Sequence, residues 1–410
     1  MTRWPLLPAL VVLPLALGCS SSANDPPAMM VDVFGARDRF DVPIDGLSKE
    51  DVDAFAAGDE LFDLSLRPFD GLGPLYTRSA CGDCHGEGVR GPGLVQKMVA
   101  VEADGVTPSA DQSLFPFGHT VHPLLAAGAT TPIMPPTNAP NVKVTIRVGP
   151  PILGRGYMEA VEDSEIERVA AEQAARADMI HGRVNYVTYT SQPNPDTRFH
   201  THQPGDRVIG RFGLKARIAA VDDFTADALQ GDMGITSPLR PTEIPNPDGL
   251  SDDLKQGVDV TADSVNKRAT YVRTTAIPMR VPDAHGLQLF TDAKCVVCHA
   301  PSLKTRADYP IALLAGIDAP VFTDMLLHDL GDGLADGIVE GLATGRDWRT
   351  APLIGLRFNR SFMHDGRASD VPGAIAAHAG PGSEANESVS LYQALGAGDR
   401  AALEAFVESL

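Results

Sequence analysis

Apolar positions in this chain come in short bursts set in polar surroundings. Between 51 and 62, Val52, Phe55, Leu61 and Phe62 recur at near-helical spacing, predicting an amphipathic helix. The period returns in 161–170 and 224–229, predicting two more helices, and in 285–290, where Leu287, Leu289 and Phe290 follow Gly286. Residues 185–190, Asn-Tyr-Val-Thr-Tyr-Thr, read as a strand, and Pro193-Asn194-Pro195-Asp196 as the turn that ends it. At the end of the chain Leu403, Phe406, Val407 and Leu410 form one apolar stripe, predicting a last helix that packs on the segment before it.

The longest apolar run, Leu6 to Leu17, follows Arg3 and is too short and too broken by proline to span a bilayer. It predicts an export signal over residues 1–18. The run Leu15-Ala16-Leu17-Gly18-Cys19 resembles a bacterial lipoprotein signal, which makes Cys19 the expected lipidated first residue of the mature chain. The polar, Pro-rich residues after it predict a tether over 19–47. These features place the protein on the periplasmic side of a bacterial cell envelope, held to the membrane by a lipid.

Composition changes the picture in two ways. With 33 Pro, 39 Gly and 6% aromatic residues in 410, much of the chain must run as loops joining modest helices. A formal net charge of -19 argues against nucleic acid or an anionic lipid surface as partner and suits a basic protein.

Cysteine spacing carries the chemistry. Of five cysteines, Cys19 belongs to the export signal; the other four form Cys81-Gly82-Asp83-Cys84-His85 and Cys295-Val296-Val297-Cys298-His299. Two thiols three residues apart can form thioethers to the two vinyl groups of one haem, and the next residue then turns its imidazole to the iron. A zinc site of four cysteines would leave both trailing histidines unexplained. A thioredoxin-like pair needs a βαβ setting that neither segment has. The expected cofactors are therefore two covalently bound haem c groups, on Cys81 and Cys84 with His85, and on Cys295 and Cys298 with His299. Each site follows a Gly and a Leu-Phe pair, a weak internal repeat. The fold expected is mainly α: two cytochrome c-like helical haem domains, 48–282 and 283–410, the first carrying a long loop-rich insert with some β from Pro92 to about Pro282.

Residues 71–76 (Gly-Leu-Gly-Pro-Leu-Tyr), 210–216 (Gly-Arg-Phe-Gly-Leu-Lys-Ala), 231–236, 326–329 (Leu-Leu-His-Asp), 333–337, 347–353 (Asp-Trp-Arg-Thr-Ala-Pro-Leu) and 364–368 (His-Asp-Gly-Arg-Ala) resemble those of the di-haem oxidoreductase family. The resemblance runs from about residue 48 to Leu410 and implies distant kinship with bacterial di-haem cytochrome c peroxidases. This chain departs from the family pattern in three places. Leu330 stands where the resemblance implies a methionine, the extra cysteine-bearing loop is missing, and Trp348 is the one tryptophan outside the signal.

Peroxide reduction requires an iron with an open sixth position, a group to move protons, and a second haem to supply an electron. Candidates for the sixth position are His122, with His119 beside it, for the first haem; for the second they are Met363, His328 and Met325. His364 and Arg367 are candidates to bind propionates. Two functions remain open: a peroxidase-like oxidoreductase, and an electron-transfer protein with both irons six-coordinate. Either needs a redox partner such as a small cytochrome c or a cupredoxin.

Overall fold

The computed structural model describes residues 41–86, 91, 93–126, 128–250 and 254–410. The export signal, Cys19 and most of the tether lie outside the described residues. No described helix is long and apolar enough to cross a membrane.

Helix α1 (Lys49–Asp63) starts where Ser48 Oγ accepts from the amide of Asp51. It buries Phe55 and Phe62 against Tyr271 of α5 (Ala262–Thr274), both ring pairs at 5.0 Å. The two helices meet closely because Gly58 has no Cβ; one there would lie 2.2 Å from the Lys267 carbonyl oxygen. The predicted helices in 161–170, 224–229 and 285–290 are α3 (Asp163–Ala174), α4 (Val221–Met233) and α6 (Ala284–Asp292). The C-terminal stripe is the buried face of α9 (Ala397–Ser409), which packs on α6 in a cluster that includes Leu289, Phe290 and Phe406 and touches Cys295.

Four of the described helices lack a sequence signature of this kind. α2 (Arg155–Ala160) is buried on every side, so it has no polar face to set a period. The buried face of α5 carries Arg268 and Arg273 among Val265, Ala269 and Tyr271. α7 (Val371–Ala377) is short, with Pro372 in its first turn; α8 (Asn386–Ala394) follows it.

Strands run through the whole chain. β1 (Leu75–Tyr76) pairs with β3 (Leu124–Leu125), and β2 (Leu94–Ala100) with β4 (Val142–Val148) in register from Leu94 opposite Val148 to Ala100 opposite Val142. β5 (Tyr186–Thr188) pairs with β6 (Arg207–Ile209), β7 (Leu303–Lys304) with β8 (Asp318–Ala319), and β9 (Leu327–Asp329) with β10 (Asp347–Arg349); among the described residues all five sheets are two-stranded and antiparallel.

The expectation of a mainly α chain built as two cytochrome c-like helical domains is therefore corrected. Helices and small antiparallel sheets are interleaved from end to end, four of the strands lying beyond residue 283. The largest apolar core joins Ile44, Tyr157, Ile166, Ala269 and Ile277 to Leu303, Leu326 and Ile354. The physical reason is the proline and glycine content, which cuts elements short and leaves paired extended segments to satisfy backbone groups between them.

Candidate functional site

Both Cys-x-x-Cys-His segments fold in the same way. At the first, the amides of Cys84 and His85 donate to the Cys81 carbonyl, both at 3.0 Å, closing one turn that brings two thiols and an imidazole together. Asp83 caps the turn by accepting from the amides of Ser79 and Ala80. At the second, the His299 amide donates to the Cys295 carbonyl at 2.9 Å. A phenylalanine from the preceding helix lies against each histidine: Phe62 to His85 at 6.1 Å and Phe290 to His299 at 6.4 Å between ring centres.

The imidazoles are held alike. His85 Nδ1 lies 2.7 Å from the Pro150 carbonyl oxygen and His299 Nδ1 3.2 Å from that of Phe322. Burial pushes both rings down to about 4, so each is neutral at pH 7. A neutral ring facing a carbonyl must carry its proton on Nδ1 and keep the Nε2 lone pair for a metal. All four thiols are unpaired. Burial raises Cys81 and Cys84 to about 11 and Cys295 to about 12, so none is a ready thiolate.

Room for a flat apolar group lies beside the second segment. A cavity of about 250 Å³ is walled by Cys295, Cys298 and His299 together with Phe290, Leu334, Trp348, Leu356, Phe362 and Ile375. Arg155 and Arg349 also line it, both buried and neither in a close ion pair with a carboxylate among the described residues. Burial, with the other guanidinium adding to it, lowers Arg155 to about 9; burial lowers Arg349 to about 10. Two buried cations facing an apolar cavity fit the two propionates of a haem. At the first segment Arg268 lies against Cys81, and its Nε is buried without a hydrogen-bond partner, which again suits a carboxylate not supplied by the chain. Both segments thus fit the group that their spacing implies.

The remaining candidates divide. Met363 and His364 line the second cavity. His364 stacks on Trp348 at 3.9 Å between ring centres, and Lys215 Nζ stands 4.1 Å from the tryptophan ring centre. His328 also borders the cavity, but Nε2 meets Asp324 at 2.9 Å and Nδ1 meets Glu384 at 2.7 Å, which engages both nitrogens. Met325 is buried in the main apolar core. Arg367 pairs with Asp365 and donates to the Gly333 carbonyl. His122 Nε2 meets the Gly231 carbonyl at the end of α4 at 2.6 Å, leaving Nδ1 buried without a partner, and His119 Nδ1 meets the Met98 carbonyl at 2.9 Å.

Three residues were missed from sequence. Arg155 had no motif to mark it, Arg349 lies within the family-like stretch 347–353 but was not singled out there, and His378 stands alone at the end of an alanine-rich stretch. The short stretch after β4 ties the two sites together. The Gly149 backbone is packed on Cys84, Pro150 holds His85, and Pro150 and Pro151 border the second cavity. The Val148 amide donates to the His364 carbonyl at 2.9 Å.

A pair of neutral, carbonyl-held imidazoles, each one turn from two unpaired thiols, defines the class as a haem-binding redox protein. The family model described as "Di-haem oxidoreductase, putative peroxidase" matches residues 136–410, and the chain belongs to that family. The match contains the second Cys-x-x-Cys-His segment; the first precedes it. No curated protein matches the chain. Among solved structures, one of Kuenenia stuttgartiensis hydrazine synthase pressurised with xenon is similar at 11% identity. It covers 98% of this chain and 99% of that one with a TM-score of 0.37, a likeness too low to carry an argument.

Proposed function

We propose that the protein is a c-type di-haem oxidoreductase of the peroxidase kind. Haem would be bound covalently through Cys81 and Cys84 and through Cys295 and Cys298, with His85 and His299 as axial ligands. The observation that carries the reading is the repeated hold on the two imidazoles, which frees Nε2 in both segments. The groups, when bound, supply one-electron redox chemistry and an iron at which peroxide oxygen can be reduced. Hydrogen peroxide takes two protons and two electrons to give two waters, the electrons arriving singly from a small cytochrome c or cupredoxin. Around the second segment the chain supplies apolar walls that exclude water and arginines that match carboxylates. Export by residues 1–18 and lipid attachment at Cys19 would place this activity on the periplasmic side of a bacterial envelope.

Haem content per chain after denaturation and acid-acetone extraction tests the attachment: two haems retained support it, and Cys81→Ala and Cys295→Ala should each reduce the stain on a gel. Haem lost to the solvent would overturn it. Peroxide consumption with a reduced small cytochrome c tests the activity; two retained haems without turnover would leave the protein an electron carrier.

A further inference from the structure

His378 is placed with more care than a helix-end residue needs. It caps the C-terminus of α7, and its Nδ1 lies 2.7 Å from the Ala374 carbonyl oxygen one turn back. Its own carbonyl accepts from Ser383 Oγ at 2.6 Å, fixing the loop that follows. The ring borders the same cavity as His299, and the two ring centres are 6.5 Å apart with planes at 71°. Nε2 of neither ring makes a hydrogen bond to any described residue, and both rings border the cavity.

The separation discriminates between roles. Two imidazoles on opposite faces of one metal, each with a metal–nitrogen bond of about 2 Å, put their ring centres about 6 Å apart. A histidine that instead hydrogen-bonds a metal-bound oxygen needs that oxygen and a further ~2.8 Å between them, for a separation of about 8–9 Å. The observed spacing matches direct ligation.

We propose that His378 is the second axial ligand of the haem held by His299, making that haem a bis-histidine, six-coordinate electron-transfer centre. This rests on the reading of residues 295–299 as a haem site. Of the sequence candidates for that position, His328 has both nitrogens engaged and Met325 lies in the core. Met363 borders the cavity and is the competitor. With one iron closed on both faces, the open position that peroxide reduction requires falls to the haem of His85.

The test is electron paramagnetic resonance and absorption of the ferric protein carrying both haems, compared with His378→Ala and His378→Met. Near-perpendicular imidazole planes leave two iron d orbitals almost degenerate, so the wild type should show a low-spin signal with an unusually large principal g value. In His378→Ala that signal should vanish in favour of a high-spin one, and added imidazole should restore low spin, with two haems still bound. If the alanine variant does not fold, His378→Met carries the test: it should remain low-spin, gain a thioether-to-iron absorption band and titrate at a higher potential. An unchanged spectrum in whichever variant folds, or a thioether band already present in the wild type, would overturn the proposal in favour of another ligand. Fewer than two haems in the wild-type protein would instead defeat the underlying haem reading.

Discussion

At the scale of single residues, His328 and Arg349 border the same cavity and play opposite electrostatic parts. His328 is buried between Asp324 and Glu384; burial disfavours its charged form, but Cys298 and the Asp324 carboxylate overcome that and hold it well above its ordinary range. With Cys298 bound as a thioether its share would disappear, leaving the two carboxylates. Removing the ring strands a buried carboxylate, so His328→Ala should cost about 3–5 kcal/mol in chemical denaturation. Because its nitrogens are already engaged, the same variant should leave the spin state of both irons as it was. Loss of a low-spin signal would make His328 a ligand after all. Arg349 donates hydrogen bonds to the carbonyls of Gly213 and Thr350, and the Asp324 carboxylate lies near enough to favour its charge. If it faces a propionate, Arg349→Leu removes a cation that favours the reduced centre, and one midpoint potential should fall by an amount on the order of tens of millivolts in a redox titration. Unshifted potentials would remove Arg349 from the propionate site.

At the scale of elements, an ionic knot joins helices whose sequences do not announce them. Arg273 of α5 is fully buried and donates to Glu159 of α2 at 2.6 Å and to Asp222 of α4 at 2.5 Å. Gly156 admits the close approach; a Cβ there would stand 1.9 Å from the Arg273 carbonyl oxygen. Burial opposes ionisation of both carboxylates, yet Arg273 outweighs it and both lie below their ordinary range. A depressed carboxylate contributes stability that is present above its unfolded pKa, near 4, and is lost as pH falls through the folded value. Thermal stability should therefore drop on acidification below about pH 4. In Arg273→Met the buried carboxylates lose their cation, their pKa values rise, and the sign reverses: that variant should lose stability as pH increases from 4 to 7, by melting curves across that range. Parallel profiles for the two proteins would show that the knot does not titrate with folding. The same knot explains what was legible in the sequence. α1, α3, α4, α6 and α9 were readable because apolar residues face the core at helical spacing. α5 was not, because its core face holds two arginines, one of which, Arg273, is made tolerable by carboxylates distant in sequence. The long β2–β4 pair was hidden for a related reason, since the partners are separated by a loop of more than forty residues. The two Cys-x-x-Cys-His segments were legible because their pattern is local to the sequence; His378 was not, because only the fold brings it beside His299.

At the scale of the whole molecule, the two segments are parts of one structure. β4 and Gly149-Pro150-Pro151 touch Cys84, His85, His364 and the second cavity, and the main core joins residues from Ile44 to Ile354. The stretch after β4 therefore links the surroundings of the two segments. The approach of a redox partner protein would be biased by a longer-range property, the formal net charge of -19. Such a field draws a basic protein in and raises its rate of encounter, while an acidic donor meets repulsion. Salt screens both effects, with a Debye length of about 8 Å at physiological ionic strength. Oxidation of a reduced cationic cytochrome c should therefore slow by roughly tenfold between low and high salt, because the attraction that speeds encounter is screened. Oxidation of an acidic cytochrome should hold steady or quicken over the same range. Stopped-flow traces at matched driving force separate the two. If the cationic donor is insensitive to salt, the net charge does not steer the donor, and docking must depend on a local surface whose charge differs from that of the molecule.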